Sequence, residues 1–408
     1  MNKTYTAIAL VLVAVILSAS AYGAYTVYFA NNPSPTPTPT ATPTQAPTSA
    51  PTTSPTGTST PHPTATSKPA ATAQPTASPT QAPTSVTVTD NAGNTMTIPL
   101  PVHTVAALDG GISEILCAMG AQNMIIARCD SCTMPPSLSN VTSVGENDYA
   151  PNVEALIEKN PDVIFASSML PYNPTAYQQL IDAGIPVFIV DSTNPEPTNP
   201  SEMTKDELYA LPTRVDLTCG LMQNFTKIIG HQEEATEYIT WAQNYNKIVK
   251  DRIYSLEPDQ QVKVFLEWYD NNYRTFTTQT VYQAGGINIA ENESAYSSFL
   301  SPEFVVEANP SVIIELYNSE THNINDFIAA KNAVMNRAAT QDTDAVKYDR
   351  VYICDFYAIN GVRSVVGYLY WAKWLQPSLF SDIDPGTVNQ QLNQKFFGTP
   401  IAGTFAYP

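Results

Sequence analysis

Basic residues are scarce in this chain of 408 residues. It has 19 Lys and Arg against 37 Asp and Glu, so its formal net charge is −18. Proteins that bind nucleic acid present a basic surface to the phosphates, and proteins that dock on anionic lipid do the same. The charge therefore argues against both classes.

Enzyme signatures are missing as well. The sequence contains no G-x-S-x-G, no P-loop and no H-E-x-x-H motif, and its four His are scattered without the spacing of a metal or hydrolytic site. We predict that the protein is not an enzyme and holds no cofactor and no metal of its own.

Acidic residues are absent from the first 85 positions, where Lys3 and Lys68 are the only charged side chains. Residues 86–408 therefore hold 37 acids and 17 bases, a net charge of −20. The chain thus divides into a nearly uncharged N-terminal region and an acidic part that is large enough to form two lobes.

Residues 6–30 carry no charge and are long enough to cross a bilayer as a helix. The alternative is a cleaved signal peptide with a small-residue site near Ala19-Ser20-Ala21. No Cys precedes Cys117, which excludes a lipid-modified N-terminal Cys. We favour an uncleaved membrane anchor over residues 1–30, because the next segment has the composition of a tether.

Residues 31–85 contain 14 Pro and 17 Thr. Such a stretch cannot bury enough apolar area to fold, and Pro biases it to extended chain. We predict a disordered stalk, either an inert spacer or an O-glycosylated one, that holds an extracellular globular part at the cell membrane. N-glycosylation sequons at Asn140, Asn224 and Asn292 are consistent with an exported glycoprotein.

Residues 86–408 open with a β-hairpin pattern and then alternate short apolar strands with helices of about ten residues. That alternation predicts parallel sheets with helical crossovers. Residues 231–256 contain no Gly or Pro, begin with acids and end with bases, which predicts one long helix. We predict an N-terminal α/β lobe over residues 86–230 and a C-terminal α/β lobe over residues 257–408, with the helix between them.

An internal echo supports two related lobes. PNVEALIEKNPDVIFA precedes the long segment, and SPEFVVEANPSVIIE follows it. Glu154 and Glu303 each stand six residues before an Asn-Pro, and each Asn-Pro is followed by one residue and then Val-Ile. A helix that begins with an acid, stops at Asn-Pro and leads into an apolar strand therefore occurs twice.

These segments, together with SEILCAMGA, QAGGINIA and INGVRSVVGYLYWAKWLQP, resemble the class III, helical-backbone family of solute-binding proteins of ABC importers. This family binds ferric siderophores, haem and cobalamin. The resemblance implies two Rossmann-like lobes with mostly parallel sheets, joined by one rigid interlobe helix, with the ligand in the cleft between them. The anchor and stalk depart from the cleaved periplasmic pattern.

The resemblance assigns Glu154 and Glu303 to docking on Arg residues of the importer's membrane subunits. A carboxylate in the first turn of a surface helix points outward and can pair with Arg. Each acid can instead simply stabilise the N-terminus of its helix.

The ligand is expected at the carboxyl ends of the strands in the cleft. Aromatic side chains recur there, and flat aromatic surfaces suit a large metal chelate better than a bare oxyanion. Tyr is common in this chain, so each aromatic can instead be a half-buried surface residue. The ligand-binding candidates are Asp109, Gly110, Asp130, Tyr149, Tyr172, Trp268, Tyr269, Tyr317 and Tyr357.

Arg363 completes the candidates, because family members often carry G-x-R at this place and some pair such an Arg with ligand carboxylates. The alternative is a salt bridge to one of the many acids. Cys129 and Cys132 have C-x-x-C spacing without a second pair, so we predict a local disulfide, with free thiols as the alternative.

The leading hypothesis is a tethered extracellular receptor that captures a metal chelate, with a ferric siderophore favoured, and delivers it to the permease and ATPase of an ABC importer. Cobalamin or haem are alternatives, and molybdate or tungstate a minor one. A surface enzyme or an adhesin on the same scaffold is the alternative from another class.

Overall fold

The structure is a computed structural model that describes residues 83–190, 200, 203–268, 273–276, 279–291, 297–319 and 322–408. These residues lie in one compact unit, Ser78–Pro408. The anchor, nearly all of the stalk, Tyr269 and the sequon at Asn292 lie outside the described residues. Among the described helices, none combines the length and the apolar character needed to cross a membrane.

A β-hairpin begins the folded part. Strands β1 (Ser85–Thr89) and β2 (Thr95–Pro99) pair antiparallel. Asp90 shapes the turn, because its Oδ1 accepts a hydrogen bond from the amide of Asn94 at 2.7 Å. Its Oδ2 accepts another from the amide of Ile189 at 3.1 Å, which attaches the hairpin to the neighbouring sheet.

The first sheet has five parallel strands, as the alternation of apolar runs and helices predicts. Its spatial order is β5-β4-β3-β6-β7. The strands are β3 (Val105–Ala107), β4 (Ile125–Arg128), β5 (Thr142–Ser143), β6 (Val163–Ser167) and β7 (Val187–Val190). The crossover helices are α1 (Gly110–Ala118), α2 (Val153–Lys159) and α3 (Pro174–Asp182).

In the described part of the connection between the two sheets there are three helices: α4 (Lys205–Ala210), α5 (Arg214–Ile229) and α6 (Gln232–Tyr254). The last of these is the long helix predicted over residues 231–256. It begins after His231, whose left-handed backbone with φ 58° follows Gly230 and separates α6 from α5. The helices α4 and α5 have no counterpart in the sequence predictions.

The second sheet is mixed and has seven strands. Its spatial order is β11-β9-β8-β12-β13-β14, with β10 also paired to β8. The strands are β8 (Val262–Glu267), β9 (Arg274–Phe276), β10 (Gly286–Asn288), β11 (Ser297–Phe299), β12 (Val312–Tyr317), β13 (Val351–Asp355) and β14 (Ala406–Tyr407). The central pairs β10-β8, β8-β12 and β12-β13 are parallel.

Among the described residues, six helices accompany this sheet. They are α7 (Gln279–Gln283), α8 (Pro302–Ala308), α9 (Ile324–Met335), α10 (Asp344–Lys347), α11 (Ser364–Leu375) and α12 (Pro385–Phe396). Short 3₁₀ turns occur at Gln122–Met124, Pro136–Asn140, Leu170–Tyr172, Pro258–Gln260, Ala338–Thr340, Phe356–Ile359 and Gly361–Arg363.

The echo seen in the sequence has a local structural cause. Helices α2 and α8 each have an amide-accepting cap, Asn152 and Ser301 respectively. Each helix ends at an Asn with left-handed backbone, Asn160 at φ 44° and Asn309 at φ 47°. Asn tolerates this conformation better than most residues, and the Pro that follows each Asn cannot continue the helix.

The main hydrophobic core is shared by both sheets. It runs from Val105 and Phe165 in the first sheet, through Phe225 and Tyr238 of α5 and α6, to Trp371 of α11. Smaller buried clusters lie elsewhere, one beside the first sheet and one beside the second. The fold is therefore mixed α/β with parallel sheets, consistent with a two-lobed binding protein.

Candidate functional site in the cleft

A cavity of ≈ 340 Å³ lies where the carboxyl ends of strands from both sheets meet. The first sheet supplies Asp109 after β3 and Ser167 at the end of β6. The second sheet supplies Trp268 after β8, Asn318 after β12 and Tyr357 after β13. Ligands of parallel α/β sheets bind at this edge, so the cavity is the candidate site.

Apolar side chains form part of the cavity wall. Ile112 and Ile115 of α1 face it, and Leu221 of α5 lies there too. The sequence predictions missed Leu221, because no motif marks it. The helical pattern around it, DLTCGLMQNF, indicates a buried face but not that this face reaches a ligand site.

Aromatic rings line the side of the second lobe. The Trp268 ring packs edge-on against Phe276 with centroids 4.6 Å apart, and its centroid lies 5.9 Å from that of Phe356. The rings of Phe356 and Tyr357 are 6.1 Å apart. Trp268, Phe356 and Tyr357, here called the aromatic wall, all line the cavity and offer flat surface to a ligand.

Asp109 provides the charge in the wall of the first lobe. Its Oδ1 accepts a hydrogen bond from the amide of Ile112 at 3.0 Å, so the carboxylate caps α1. Burial raises the pKa of Asp109 to about 6, and the negative charges of Asp148 and Glu114 act in the same direction. A group with this pKa is mostly ionised at pH 7 and loses its charge as the pH falls through about 6.

Asp148 lies just behind the cavity and is 6% exposed. Its Oδ2 accepts a hydrogen bond from the amide of Ser167, a lining residue, at 2.8 Å. Burial raises the pKa of Asp148 as well. The first lobe thus brings two carboxyl groups towards the same end of the cavity.

Two glycine segments approach each other at the cavity. The Tyr357 ring lies so close to Gly110 that a Cβ there would stand 3.2 Å from its Cε1. Gly361 has φ 55°, and a Cβ on it would lie 3.3 Å from the carbonyl oxygen of Gly111. Both close approaches join the first half of the fold to the second. Gly361 and its neighbour Asn360 line the cavity and were missed by the sequence predictions.

The structure distributes the predicted ligand residues unevenly. Asp109, Trp268 and Tyr357 line the cavity, and Gly110 lies against Tyr357. Four others are not among the described lining residues: Asp130, Tyr149, Tyr172 and Tyr317.

Each of those four has a different setting. Tyr149 is 49% exposed and Tyr172 is 64% exposed. Tyr317 packs edge-on against Phe327 with centroids 5.4 Å apart. Asp130 lies 4.0 Å from Arg128 and is largely exposed.

Arg363 does not face the cavity, which corrects the sequence prediction of a ligand contact. It is fully buried, and its Nη2 lies 2.7 Å from Oε1 of Glu114. Its Nη1 donates hydrogen bonds to Asn389 at 2.8 Å and Asn393 at 3.1 Å, and its guanidinium lies 4.1 Å from the centre of the Phe405 ring. The alternative from the sequence, a salt bridge to an acid, is what the structure contains.

The local disulfide predicted for Cys129 and Cys132 is also corrected. Both are free thiols and fully buried. The Cys132 Sγ donates a hydrogen bond to the carbonyl of Ala107 at 3.4 Å, so the thiol has a partner other than Cys129. Burial raises the pKa of Cys132 to about 12, so the group is a neutral thiol rather than a nucleophile.

Glu154 and Glu303 occupy matching places on the surface. Each lies in the first turn of its helix, α2 and α8 respectively, and each is exposed. Neither lines the cavity. Among the described residues, no group of three His, Cys, Asp or Glu side chains is arranged to hold a metal ion.

The fold and the cleft define a solute-binding protein. The family model described as periplasmic binding protein matches residues 105–358, and the chain belongs to this family of class III solute-binding proteins. It is a family of transport proteins rather than of enzymes.

Individual relatives are more distant. The chain is 23% identical over 283 residues to the molybdate-binding protein MolA of Haemophilus influenzae. The matched region covers 65% of this chain and 75% of that protein. Among solved structures, the TroA-like periplasmic binding protein FepB of Veillonella parvula is 22% identical with a TM-score of 0.62, and covers 79% of this chain and 99% of that one. The vitamin B12 binding protein BtuF of Vibrio cholerae is 19% identical with a TM-score of 0.51, and covers 68% and 98%. These structures support the fold alone.

Proposed function

We propose that this protein is the extracellular substrate-binding component of an ABC importer and captures a metal chelate, a ferric siderophore by preference, in the cleft. The observation that carries the proposal is the aromatic wall of Trp268, Phe356 and Tyr357 opposite Asp109 in a cavity at the strand ends. Large, partly apolar ligands bind through such ring surfaces, with a few polar groups fixing their orientation.

The size of the cavity supports a chelate of moderate size. Its ≈ 340 Å³ lies near the low end of the range of about 300–1,000 Å³ that is usual for small-molecule sites. Cobalamin is much larger than a tris-catecholate or tris-hydroxamate chelate and would have to extend out of the cleft, so it ranks below a ferric siderophore. Haem is comparable in size to such chelates and stays an alternative.

Molybdate is the second candidate, because the relative MolA is described as binding it. A free oxyanion needs clustered N–H donors or cationic side chains. The described cavity wall contains no Lys, Arg or His side chain. Because the wall lacks these side chains, an oxyanion is a weaker candidate than a chelate. A surface enzyme ranks last, since the described cavity wall presents no catalytic set of residues, and an adhesin ranks beside it, since adhesion would not need a cavity at the strand ends.

The proposed location of the protein is the outer face of the cell membrane. Residues 1–30 would anchor it in the cell membrane, and the stalk of residues 31–85 would extend the acidic lobes outside. Tethering would keep the receptor at high local concentration beside its permease and ATPase. Glycosylation at Asn140 or Asn224 fits this location, as both asparagines are exposed or half-buried on the described surface.

The test is a ligand screen on the full-length chain in detergent. Ferric complexes of a tris-catecholate and a tris-hydroxamate, cobalamin, haem and molybdate would each be added, with Tm and tryptophan fluorescence as readouts. We expect a ferric complex to raise Tm and to quench fluorescence. If only cobalamin or only haem stabilised the protein, that compound would replace the ferric siderophore as the ligand. If no chelate stabilised the protein, the proposal would be refuted.

A pair of matched variants locates the binding. Trp268→Ala should weaken chelate binding about tenfold or more, because buried Trp contacts are typical binding hot spots. Trp241→Phe is the control, since Trp241 lies on α6 among Tyr238, Tyr245 and Phe396 and away from the cavity. Equal affinities of the two variants would contradict a ligand site at the aromatic wall.

A further inference from the structure

We propose that Asp109 is a specificity residue that excludes free oxyanions from the cleft. This inference rests on the proposed function, since it concerns which ligand the same cavity accepts. It assigns the cavity to ligands whose inner face is neutral, cationic or rich in hydrogen-bond donors. Of the two ferric complexes in the screen, the neutral tris-hydroxamate meets this condition and the anionic tris-catecholate does not. Three observations carry it: the place of Asp109, the donors that it occupies, and the charges around the cavity.

Asp109 occupies the position where an oxyanion would bind. The first turn of α1 begins at Gly110, and both Asp109 and Gly111 line the cavity. An exposed helix N-terminus offers free amides to an anion. Here the Asp109 carboxylate already accepts the amides of Gly111 and Ile112, so it acts as an internal anion at this end of the cavity.

The other acids reinforce the repulsion. Asp148 lies behind the same wall and interacts with Asp109 through charge. Glu114, one turn further along α1, has its charge matched by Arg363. Asp109 and Asp148 have no such cation among the described ion pairs, so they give this end of the cavity a negative potential.

Cations do not offset that potential at the wall. Two described cations stand behind lining residues: Arg214 donates a hydrogen bond to Asn360 at 3.0 Å, and Arg274 lies 5.5 Å from the centre of the Trp268 ring. The stretches of residues 191–199, 201–202, 269–272, 277–278, 292–296 and 320–321 contain no Lys, Arg or His. The sequence therefore leaves those stretches no base to contribute.

A graded pair of variants tests the inference. Asp109→Asn removes the charge and keeps an amide-accepting cap, whereas Asp109→Gly removes the charge and releases the amides at little cost to the helix. Sulfate, molybdate and tungstate would be titrated into the full-length chain by calorimetry, with Tm to verify folding. We expect the wild type to bind each oxyanion with a Kd no lower than about 1 mM. Asp109→Asn should lower this Kd about tenfold or more, and Asp109→Gly should lower it further.

Asp251→Asn is the control, because it removes one exposed negative charge from α6, far along the chain from the cavity residues. It should bind oxyanions no better than the wild type. Tight oxyanion binding by the wild type would overturn the inference, and so would a folded Asp109→Asn that gains nothing. Neither outcome depends on the chelate screen, whose failure would refute the proposed function separately.

Discussion

Arg363 is the residue whose setting changes most between sequence and structure. It pairs with Glu114, which lies 249 positions earlier in the chain, and both side chains are buried. The pair joins α1, which carries the Asp109 cap, to the turn Gly361–Arg363, which carries the cavity residue Gly361. Arg363 is thus a positioning residue that holds two walls of the cavity together.

Breaking this ion pair should be costly. Glu114→Gln leaves the Arg363 charge buried without a counter-ion, and we expect it to lower the free energy of unfolding by about 3–5 kcal/mol. The double variant Glu114→Leu with Arg363→Met removes both charges. Its loss in free energy of unfolding should be smaller than the summed losses of the single variants Glu114→Leu and Arg363→Met. Denaturant unfolding of the wild type and the four variants gives these free energies, and additive costs of the two single variants in the double variant would contradict direct pairing.

At the scale of elements, the half-buried carboxylate of Asp216 joins α5 to α6. Asp216 Oδ1 accepts hydrogen bonds from Gln243 and Asn246, both at 2.9 Å, and its Oδ2 lies 2.8 Å from Lys250 Nζ. Burial alone would raise the pKa of Asp216, but the hydrogen bonds from Lys250 and Gln243 outweigh it and lower the pKa to about 2. The network fixes the long helix against its neighbour.

Asp216→Asn tests this connection without removing the side-chain volume. Because the pKa of Asp216 is lower in the folded state, its ionisation stabilises the fold above the unfolded pKa of about 4, by about 2 kcal/mol. From pH 5 to pH 7 we expect the free energy of unfolding of the wild type to exceed that of Asp216→Asn by this amount. The difference should vanish as the pH falls from about 4 through 2.

The measurement is urea unfolding of both proteins across that pH range. Asp251→Asn provides the comparison within α6, because the exposed Lys247–Asp251 pair should contribute little. A difference between wild type and Asp216→Asn that stays constant down to pH 2 would show that charge is not the cause.

At the scale of the whole molecule, the two surface acids mark related places on two related halves. Glu154 and Glu303 each precede an Asn-Pro stop and each project from the first turn of an exposed helix. We propose that they dock the loaded receptor onto basic groups of the permease, where charge complementarity would guide encounter and register.

The double charge reversal Glu154→Lys with Glu303→Lys should reduce ligand-stimulated ATPase activity of the reconstituted importer at least about tenfold, while chelate affinity stays unchanged. Glu158→Lys with Glu307→Lys is the matched control, since these acids are exposed one turn further along the same two helices. If both pairs of reversals have the same effect, overall charge rather than docking at Glu154 and Glu303 is responsible.

Much of the architecture was predictable because its causes are local. The hairpin turn depends on Asp90 and its neighbours, and the helix stops at Asn160 and Asn309 depend on the Pro that follows each. The long helix follows from a charge order and an absence of Gly and Pro that occur within one segment. By contrast, the capping box of Thr213 and Asp216 and the stop at Gly230 define α5 locally, but no local signal shows that Leu221 reaches the cavity.

The sequence alone determined the alternation of strands and helices, the repeated motif of the two halves and the strand ends that surround the cleft, because each depends on neighbouring residues. The tertiary structure decided which side chains meet there. It turned Arg363 away from the cavity to Glu114, left Cys129 and Cys132 unlinked, and brought Asp109 opposite Trp268 and Tyr357. Such pairings join residues far apart in the chain. The sequence is compatible with several partners for each residue, and packing and charge in the folded protein select one of them.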